Sequence, residues 1–367
     1  MPKLIFTSYS GAPEFTDPYK WLNRIEAYTG ILEKLAADHE VISIEHISYN
    51  GRLQQNGVQY LFTRLKGKTT RFPFKIHRLI KDLQPDFVFI NGLIFPLQVI
   101  QLKLTLGKRT KIILLHRAEK PFGGIKKLFQ KMADRYIEAY LFASPGFGEK
   151  WKGNIDKNKI YEVIQASSVF QVTDKAMARN ITKVSGHPVY LWVGGLTVNK
   201  DPVTVVKAFL DFAARHQKAR LYMIFQTEEL LPVISKLILD HAMGGNVFLK
   251  GLVPHNALTD WFNSADFYIS ASHYEGSGVA LSEAMSCGCI PITSDITSFQ
   301  KMKGHCGYGF KAGDDRELFS ILEKSLHTDL ENEREKVLRQ FKDELSFEAI
   351  VRKINLILRK DEVVVNP

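Results

Sequence analysis

The chain has 367 residues, is 45% hydrophobic and 24% charged, and carries a formal net charge of +10. That length suits two domains of ordinary size, and the balance excludes a disordered chain. No apolar run reaches the ~20 residues of a membrane-crossing helix, the apolar stretch at the N-terminus is too short for a signal peptide, and three cysteines, an odd number, exclude a disulfide framework and suit a reducing cytoplasm.

The charge is uneven. Residues 1–160 hold 26 of the 49 Lys+Arg and 14 of the 39 Asp+Glu, net +12, and the remainder is net −2. A basic first half implies an anionic partner: a membrane surface, a lipid-linked phosphate or diphosphate, or nucleic acid. No nucleic-acid motif accompanies it, so no nucleic-acid partner is expected.

In chain order, Leu4-Ile5-Phe6 reads as a strand, followed by a loop with Gly11 and Pro13. Tyr19 to Ala37 reads as one helix, with Trp21, Leu22, Ile25, Tyr28, Ile31, Leu32 and Leu35 spaced at three and four. Val41–Ile44 is the next strand, so the opening is βαβ, the start of a parallel doubly wound sheet. Arg64 to Lys81 holds seven basic residues, Lys66 among them, with Phe72 and Phe74 interleaved. Anionic headgroups would suit it, and a solvated face is the plainer reading. Asp86–Asn91 and Lys111–His116 are strands. His116 stands at the C-terminal end of its strand, the edge where open α/β sheets place ligands, and Arg117 follows. Ile125 to about Tyr140 reads as a basic amphipathic helix carrying Lys126, Lys127, Lys131 and Arg135, with Leu128, Met132 and Ile137 as its apolar side. Membrane docking and a solvated face fit it equally. Tyr140–Ser144 is another strand, Tyr161–Ile164 closes the first half, and the polar stretch 165–186 contains the linker.

The second half opens with the strand Val189–Val193, then Gly194, Gly195 and Lys200 ahead of a helix begun by Asp201-Pro202. A lysine there is mildly disfavoured by the helix dipole, which supports a role for it. Leu221–Phe225 and Asn246–Gly251 are strands, with Leu252 to Pro254 a loop and Asp260–Ala265 a short helix. Phe267 to Thr293 reads as strand, loop, helix, strand. Two glutamates mark it: Glu275 in the loop and Glu283 among Val279, Ala280, Leu281, Ala284 and Met285 in the helix. A carboxylate in such company is costly unless it meets a partner, and ribose or sugar hydroxyls are such partners. Gly276, Ser277 and Gly278 let a ligand approach, and the helix N-terminus at Val279 offers N–H groups to a phosphate. On charge placement alone, a solvated Glu283 and a first-turn acid at Glu275 remain the simpler reading. Gly288 stands where a helix C-terminus wants a glycine. Cys287, Cys289, His305 and Cys306 fit no standard zinc spacing, and the cysteines read as small buried thiols. The segments 318–326, 331–341 and 348–358 read as helices.

The pattern S-x-x-E-G-x-G-x-x-x-x-E-A-M-x-x-G-x-x-P, carried by Ser272, Glu275, Gly276, Gly278, Glu283, Ala284, Met285, Gly288 and Pro291, resembles the donor-site signature of retaining glycosyltransferases of the large family 4. The resemblance covers most of the chain and is weakest from about Asn50 to Phe72. It implies an α/β fold of two Rossmann-like doubly wound domains facing a central cleft, the GT-B fold. Residues 1–165 would be the acceptor-side domain, 187–345 the nucleotide-sugar domain, and 346–367 a helix crossing back to the first. The implied activity moves a sugar from a nucleotide-diphospho-sugar to an acceptor hydroxyl with retention. A lipid-linked or saccharide acceptor, cell-envelope polysaccharide or glycolipid synthesis, and a cytoplasmic site, peripheral at the inner face of an anionic membrane, go with it.

Carried onto this chain, the resemblance gives Glu283 the ribose hydroxyls and Glu275 the sugar. Gly276, Ser277, Gly278, Val279 and Gly194 line the donor, and Leu252 belongs to the loop that accepts the base. Lys200 neutralises the departing diphosphate, and His116 faces the donor sugar. Gly11 and Arg117 lie on the acceptor side. No Asp-x-Asp occurs, the pair by which GT-A enzymes hold a metal, so no metal or other cofactor is expected. Three positions depart from the family. Gly195 stands where relatives carry arginine, Gln226-Thr227 replace a glycine pair, and Thr297–Gln300 replace glycines and a glutamate. Rival readings are a sugar-nucleotide epimerase and a sugar-nucleotide-binding protein without turnover. A Rossmann dehydrogenase fits poorly, because no strand–G-x-G-x-x-G–helix occurs.

Overall fold

A computed structural model of the chain describes residues 1–65, 68–117, 119–143 and 145–359. Lys66 and Gly67 of the basic run, Ser144 of an expected strand, and residues 360–367 of the expected final segment lie outside the described residues. The chain forms two compact units, Met1–Ser167 with the segment from Phe347, and Ser168–Ser346.

The first unit is built on an eight-stranded sheet: β1 (Lys3–Ser8), β2 (Glu40–Glu45), β3 (Gly51–Gln55), β4 (Val58–Phe62), β5 (Phe87–Asn91), β6 (Lys111–Leu115), β7 (Ala139–Phe142) and β8 (Ile160–Glu162). The order is β3-β4-β2-β1-β5-β6-β7-β8, parallel except where β3 runs against β4 at the edge. The central strands are unbroken apolar runs because both faces are covered. Leu4, Ile5, Val88, Phe89 and Ile90 are fully buried. Its helices are α1 (Pro18–Arg24), α2 (Glu26–Leu35), α3 (Lys68–Arg71), α4 (Phe74–Asp82), α5 (Pro96–Leu106), α6 (Gly124–Asp134) and α7 (Pro145–Lys150).

Two helices differ from expectation, and residues 51–62, for which no element was expected, form a hairpin. The helix expected over 19–37 is two helices. At Ile25 the backbone opens (φ −109°, ψ 19°), and its N–H is shared between the carbonyls of Trp21 and Leu22. The break lets Trp21 Nε1 donate to Glu45 at 2.9 Å while Ile31, Leu32 and Leu35 enter the core. The strands β3 and β4 form a hairpin whose two turn residues, Asn56 (φ 49°) and Gly57 (φ 82°), are both left-handed; Asn-Gly is the sequence signal for such a turn. The helix expected over 125–140 ends at Asp134, because Tyr136 and Ile137 bond back to Ala133 and Asp134 in tight turns and Tyr140 enters β7. Of its expected apolar side, Leu128 and Met132 are exposed, while Gln130 and Ala133 are buried.

The second unit holds six parallel strands, β9 (Val189–Gly194), β10 (Arg220–Phe225), β11 (Val247–Gly251), β12 (Phe267–Ser270), β13 (Ile290–Ser294) and β14 (Tyr308–Phe310), in the order β11-β10-β9-β12-β13-β14. This is the doubly wound order of dinucleotide-binding sheets, reversing between β9 and β12. Its helices are α8 (Lys175–Thr182), α9 (Pro202–Arg215), α10 (Leu231–Asp240), α11 (Leu258–Ser264), α12 (Val279–Ser286), α13 (Thr297–Lys303), α14 (Asp315–Ser325) and α15 (Leu330–Gln340). Trp192, Phe209, Phe212, Leu318 and Leu322 pack beneath the sheet. Helix α8 lies inside the stretch read as linker. Buried Asp266 holds it, pairing with Lys175 at 2.6 Å and Arg179 at 3.2 Å while accepting the N–H of Val189.

The last helix, α16 (Phe347–Arg359), belongs to the first unit and packs on α2. Ile350, Ile354 and Leu358 are buried, and the Phe347 ring fills the space that a side chain at Gly30 would need.

Candidate functional site

At the reversal of the second sheet, β9 and β12 are neighbours whose outgoing loops part to opposite faces, which opens a crevice at their C-terminal ends. Gly195, Lys200 and Glu275 lie on the loops that leave these two strands. After β9 come Gly194 and Gly195, then a single 3-10 turn, Val198–Lys200, leading into α9. Asp201 sits in the left-handed region (φ 43°) and caps α9 through Thr204. After β12 the chain runs through Glu275 and Gly276 to α12.

The two loops are tied together. His273 donates its N–H to the Asn199 carbonyl at 2.9 Å, and Asn199 Nδ2 donates to the Tyr274 carbonyl at 2.9 Å. His273 Nε2 lies 3.2 Å from Asp201 Oδ2. Lys200 Nζ pairs with Glu275 Oε2, both side chains partly open to water. A cation and an anion therefore face each other at the crevice mouth.

Helix α12 is fixed at both ends by glycine. Gly278 has φ +51°, and a Cβ there would lie 2.9 Å from Met302 Sδ and 3.3 Å from Phe299. At the other end Gly288 has φ +75°, its N–H donates to Met285 at 3.0 Å and the Cys289 N–H to Ala284 at 2.9 Å. That is a Schellman termination. Between them Glu283 is 3% exposed, which corrects the plain reading of a solvated glutamate. Its Oε1 lies 2.6 Å from His255 Nε2, which donates to it. The His255 ring rests at 5.1 Å from that of Phe170. His255 follows the loop after β11, where Leu252 is exposed. Sequence reasoning missed this histidine, and its only signal was its place just beyond that loop.

Two of the three departures from the family pattern touch. A Cβ at Gly195 would stand 3.1 Å from Thr227 Cβ and 3.2 Å from its Oγ1. Thr227 therefore occupies the room that a side chain at 195 would use.

The remaining predicted residues belong to the first unit. Gly11 lies in the loop after β1, where Ala12 bonds to the His46 carbonyl and a Cβ on Gly11 would meet that oxygen at 2.9 Å. His116 is 2% exposed and stacks on Phe142 (4.3 Å, 15°), with Phe147 and Trp151 around it. Its Nε2 donates to the Glu119 carbonyl at 3.0 Å, and burial holds its pKa below the usual imidazole value. Arg117 is exposed, its guanidinium 5.9 Å from the Tyr28 ring. Glu119 fixes this loop by accepting the N–H groups of Arg117 (2.6 Å) and Leu93 (3.0 Å). The three cysteines are buried and unpaired, and burial pushes the Cys287 thiol up to about 11. Among the described residues no three His, Cys, Asp or Glu side chains converge as metal ligands. A cavity of about 340 Å³, lined by His187, His216 and Thr328, contains none of the predicted site residues.

Residues 173–344, nearly all of the second unit, match the family described as glycosyl transferases group 1. The chain is 29% identical over 127 residues to the GDP-mannose:cellobiosyl-diphosphopolyprenol alpha-mannosyltransferase of Xanthomonas campestris. That stretch is 34% of this chain and 33% of the relative. It is 36% identical over 103 residues to the poly(glycerol-phosphate) alpha-glucosyltransferase of Bacillus subtilis, covering 28% of this chain and 15% of that one. The likeness to solved structures spans both units. A glycosyltransferase of Rickettsia africae superposes with a TM-score of 0.75 at 15% identity over 100% of both chains. The HepE protein of Anabaena, solved with UDP and glucose, gives 0.72 at 12% identity over 98% of this chain and 100% of that one. At such identities the likeness is one of fold, and the fold is GT-B.

Proposed function

Starting from a second unit that matches group 1 glycosyltransferases, we propose that the protein transfers a sugar from a nucleoside-diphosphate sugar to an acceptor hydroxyl, with retention at the anomeric carbon. The observation that carries this reading is Glu283, a carboxylate 3% exposed among the apolar residues of α12 and partnered, among the described residues, at its Oε1 by a half-exposed histidine. A buried acceptor with a lone pair to spare suits ribose hydroxyls.

In this reading Glu275 and the backbone of Gly276, Ser277 and Gly278 hold the sugar. Gly194 and Leu252 flank the nucleotide. Lys200, released from Glu275 as the donor arrives, meets the diphosphate together with the N-terminus of α12. The bond between the anomeric carbon and the leaving phosphate oxygen breaks as the acceptor oxygen attacks from the same face. The acceptor proton passes to a phosphate oxygen, and the negative charge left on the diphosphate is spread over the lysine and the helix N–H groups. His116 and Arg117, with Gly11, are assigned to the first unit's share of substrate binding, His116 acting from behind the exposed loop it supports. No metal is required. The likeness to enzymes named for a diphosphopolyprenol and a poly(glycerol-phosphate) supports a lipid-linked or saccharide acceptor.

The test is binding and slow hydrolysis across UDP-, GDP- and ADP-sugars without metal, for the wild type, Glu283→Ala and Lys200→Ala. One donor bound and hydrolysed, with both variants weakened, supports the assignment. Binding without turnover, even with lipid-phosphate acceptors present, would favour a sugar-nucleotide-binding protein. No binding to the folded chain would overturn the site.

A further inference from the structure

The cavity of about 340 Å³ lies at the opposite end of the second sheet from the crevice. Its walls are the entries of β9 and β12, the segment His216–Lys218 ahead of β10, and the turn between α14 and α15. Strands of four to six residues separate the two places, about 13–20 Å at roughly 3.3 Å per residue. Phe267, 1% exposed, and Leu326 supply apolar lining. The volume stands at the lower end of the range, about 300–1,000 Å³, in which cavities hold small ligands.

Acceptors at this edge are engaged, and donors are not. Asp266 takes Lys175, Arg179 and the Val189 N–H. Glu323 takes His216 Nε2 at 3.0 Å, with Arg215 3.7 Å from its other oxygen. Asp329 caps α15 through the Asn332 N–H at 3.2 Å. The Gln217 carbonyl accepts from Arg220 and Asn246, and the Lys218 carbonyl from the His187 N–H at 2.9 Å. The Ser325 hydroxyl bonds to Tyr190 and to the Leu322 carbonyl. By contrast, the exposed side chains of Gln217 and Lys218 make no hydrogen bond or ion pair among the described residues. The His187 ring stands 3.8 Å from Asp266, beyond hydrogen-bond length. A cavity with donors to spare and its acids already paired suits an acceptor-rich anion, and an ionised phosphate carries acceptors only.

We propose that this cavity binds a small organic phosphate, its phosphate on the Lys218 ammonium, the Gln217 amide and the His187 imidazole, and its carbon body against Phe267 and Leu326. Charge selects this occupant. A metal cation would find no unpaired carboxylate here, and an uncharged apolar molecule would use the lining alone. The proposal stands apart from the sugar-transfer reading, because this site shares no residue with the crevice and its probe is not a nucleotide sugar.

The experiment is titration calorimetry of the full chain with phenyl phosphate, inorganic phosphate and phenol at low salt. Phenyl phosphate is expected to bind more tightly than either of the other two. Lys218→Glu, at an exposed position, should weaken it at least about tenfold with an unchanged melting temperature. Lys200→Ala should leave it unchanged. No binding of phenyl phosphate, or equal affinity in Lys218→Glu, would overturn the proposal. So would a loss in Lys200→Ala, which would place the anion at the crevice, or inorganic phosphate matching phenyl phosphate, which would mean an adventitious ion only.

Discussion

Glu283 and His255 are unequal partners, and the inequality is measurable. If Glu283 becomes Ala, His255 turns to the water it already half faces. If His255 becomes Ala, the carboxylate stays buried without its donor. Leaving a buried charged acceptor unmet costs about 1–3 kcal/mol or more, so His255→Ala should lower the urea midpoint further than Glu283→Ala. A bound nucleotide sugar should restore more of the loss in His255→Ala, because ribose hydroxyls supply the missing donors. Lys200→Ala should leave stability nearly unchanged, since partly exposed ion pairs contribute little, and lower kcat by about 10²–10³. His46 carries a pH dependence. Burial lowers its pKa to about 4, so the folded state holds it neutral. Its contribution is fully present above the unfolded value near 6.5 and is lost as pH falls toward 4. Urea titrations at pH 7 and pH 4.5 should show a loss of roughly 2–3 kcal/mol from this group. At this scale the sequence showed which residues were chemically odd, a glutamate in apolar company above all. It did not show their partners.

Helix α12 shows what an element's ends require. Gly288 was legible as a C-terminal glycine because helix termination is local chemistry. Gly278 was read as room for a ligand. The structure adds a positive φ and the contact with Met302. Gly278→Ala should therefore cost roughly 1–3 kcal/mol, seen as a lower denaturation midpoint, whatever it does to donor affinity. Helices α1, α2 and α6 show the limit of periodicity. Spacing at three and four reveals an apolar stripe, but not a one-residue break at Ile25, nor which way the stripe points. In α6 Gln130 and Ala133 face inward and the apolar stripe faces out.

Across the whole molecule, the chain builds most of the first unit, then the second, and returns to the first through α16. A chain ending at Ser346 would expose the surface of α2 now covered by Phe347, Ile350, Ile354 and Leu358. At about 1.5–3 kcal/mol per buried side chain, the loss is on the order of 5 kcal/mol or more. Calorimetry should show one transition moved down by many degrees and a second, from the other unit, little changed. One unmoved transition for the whole chain would contradict this division.

By itself the sequence determined the α/β class, two Rossmann-like halves, the strand–loop–helix at Phe267–Thr293 and its glycine-bounded helix. These follow from period, turn chemistry and capping, which act over a few residues. Only the tertiary structure decided that Glu283 meets His255 28 residues away, that Lys200 meets Glu275 across 75, and that Thr227 fills the place beside Gly195. It also decided that α6 turns its apolar stripe to water. The reason is the same each time: contacts between distant segments depend on how helices and strands are rotated against one another, and a sequence period is blind to that rotation.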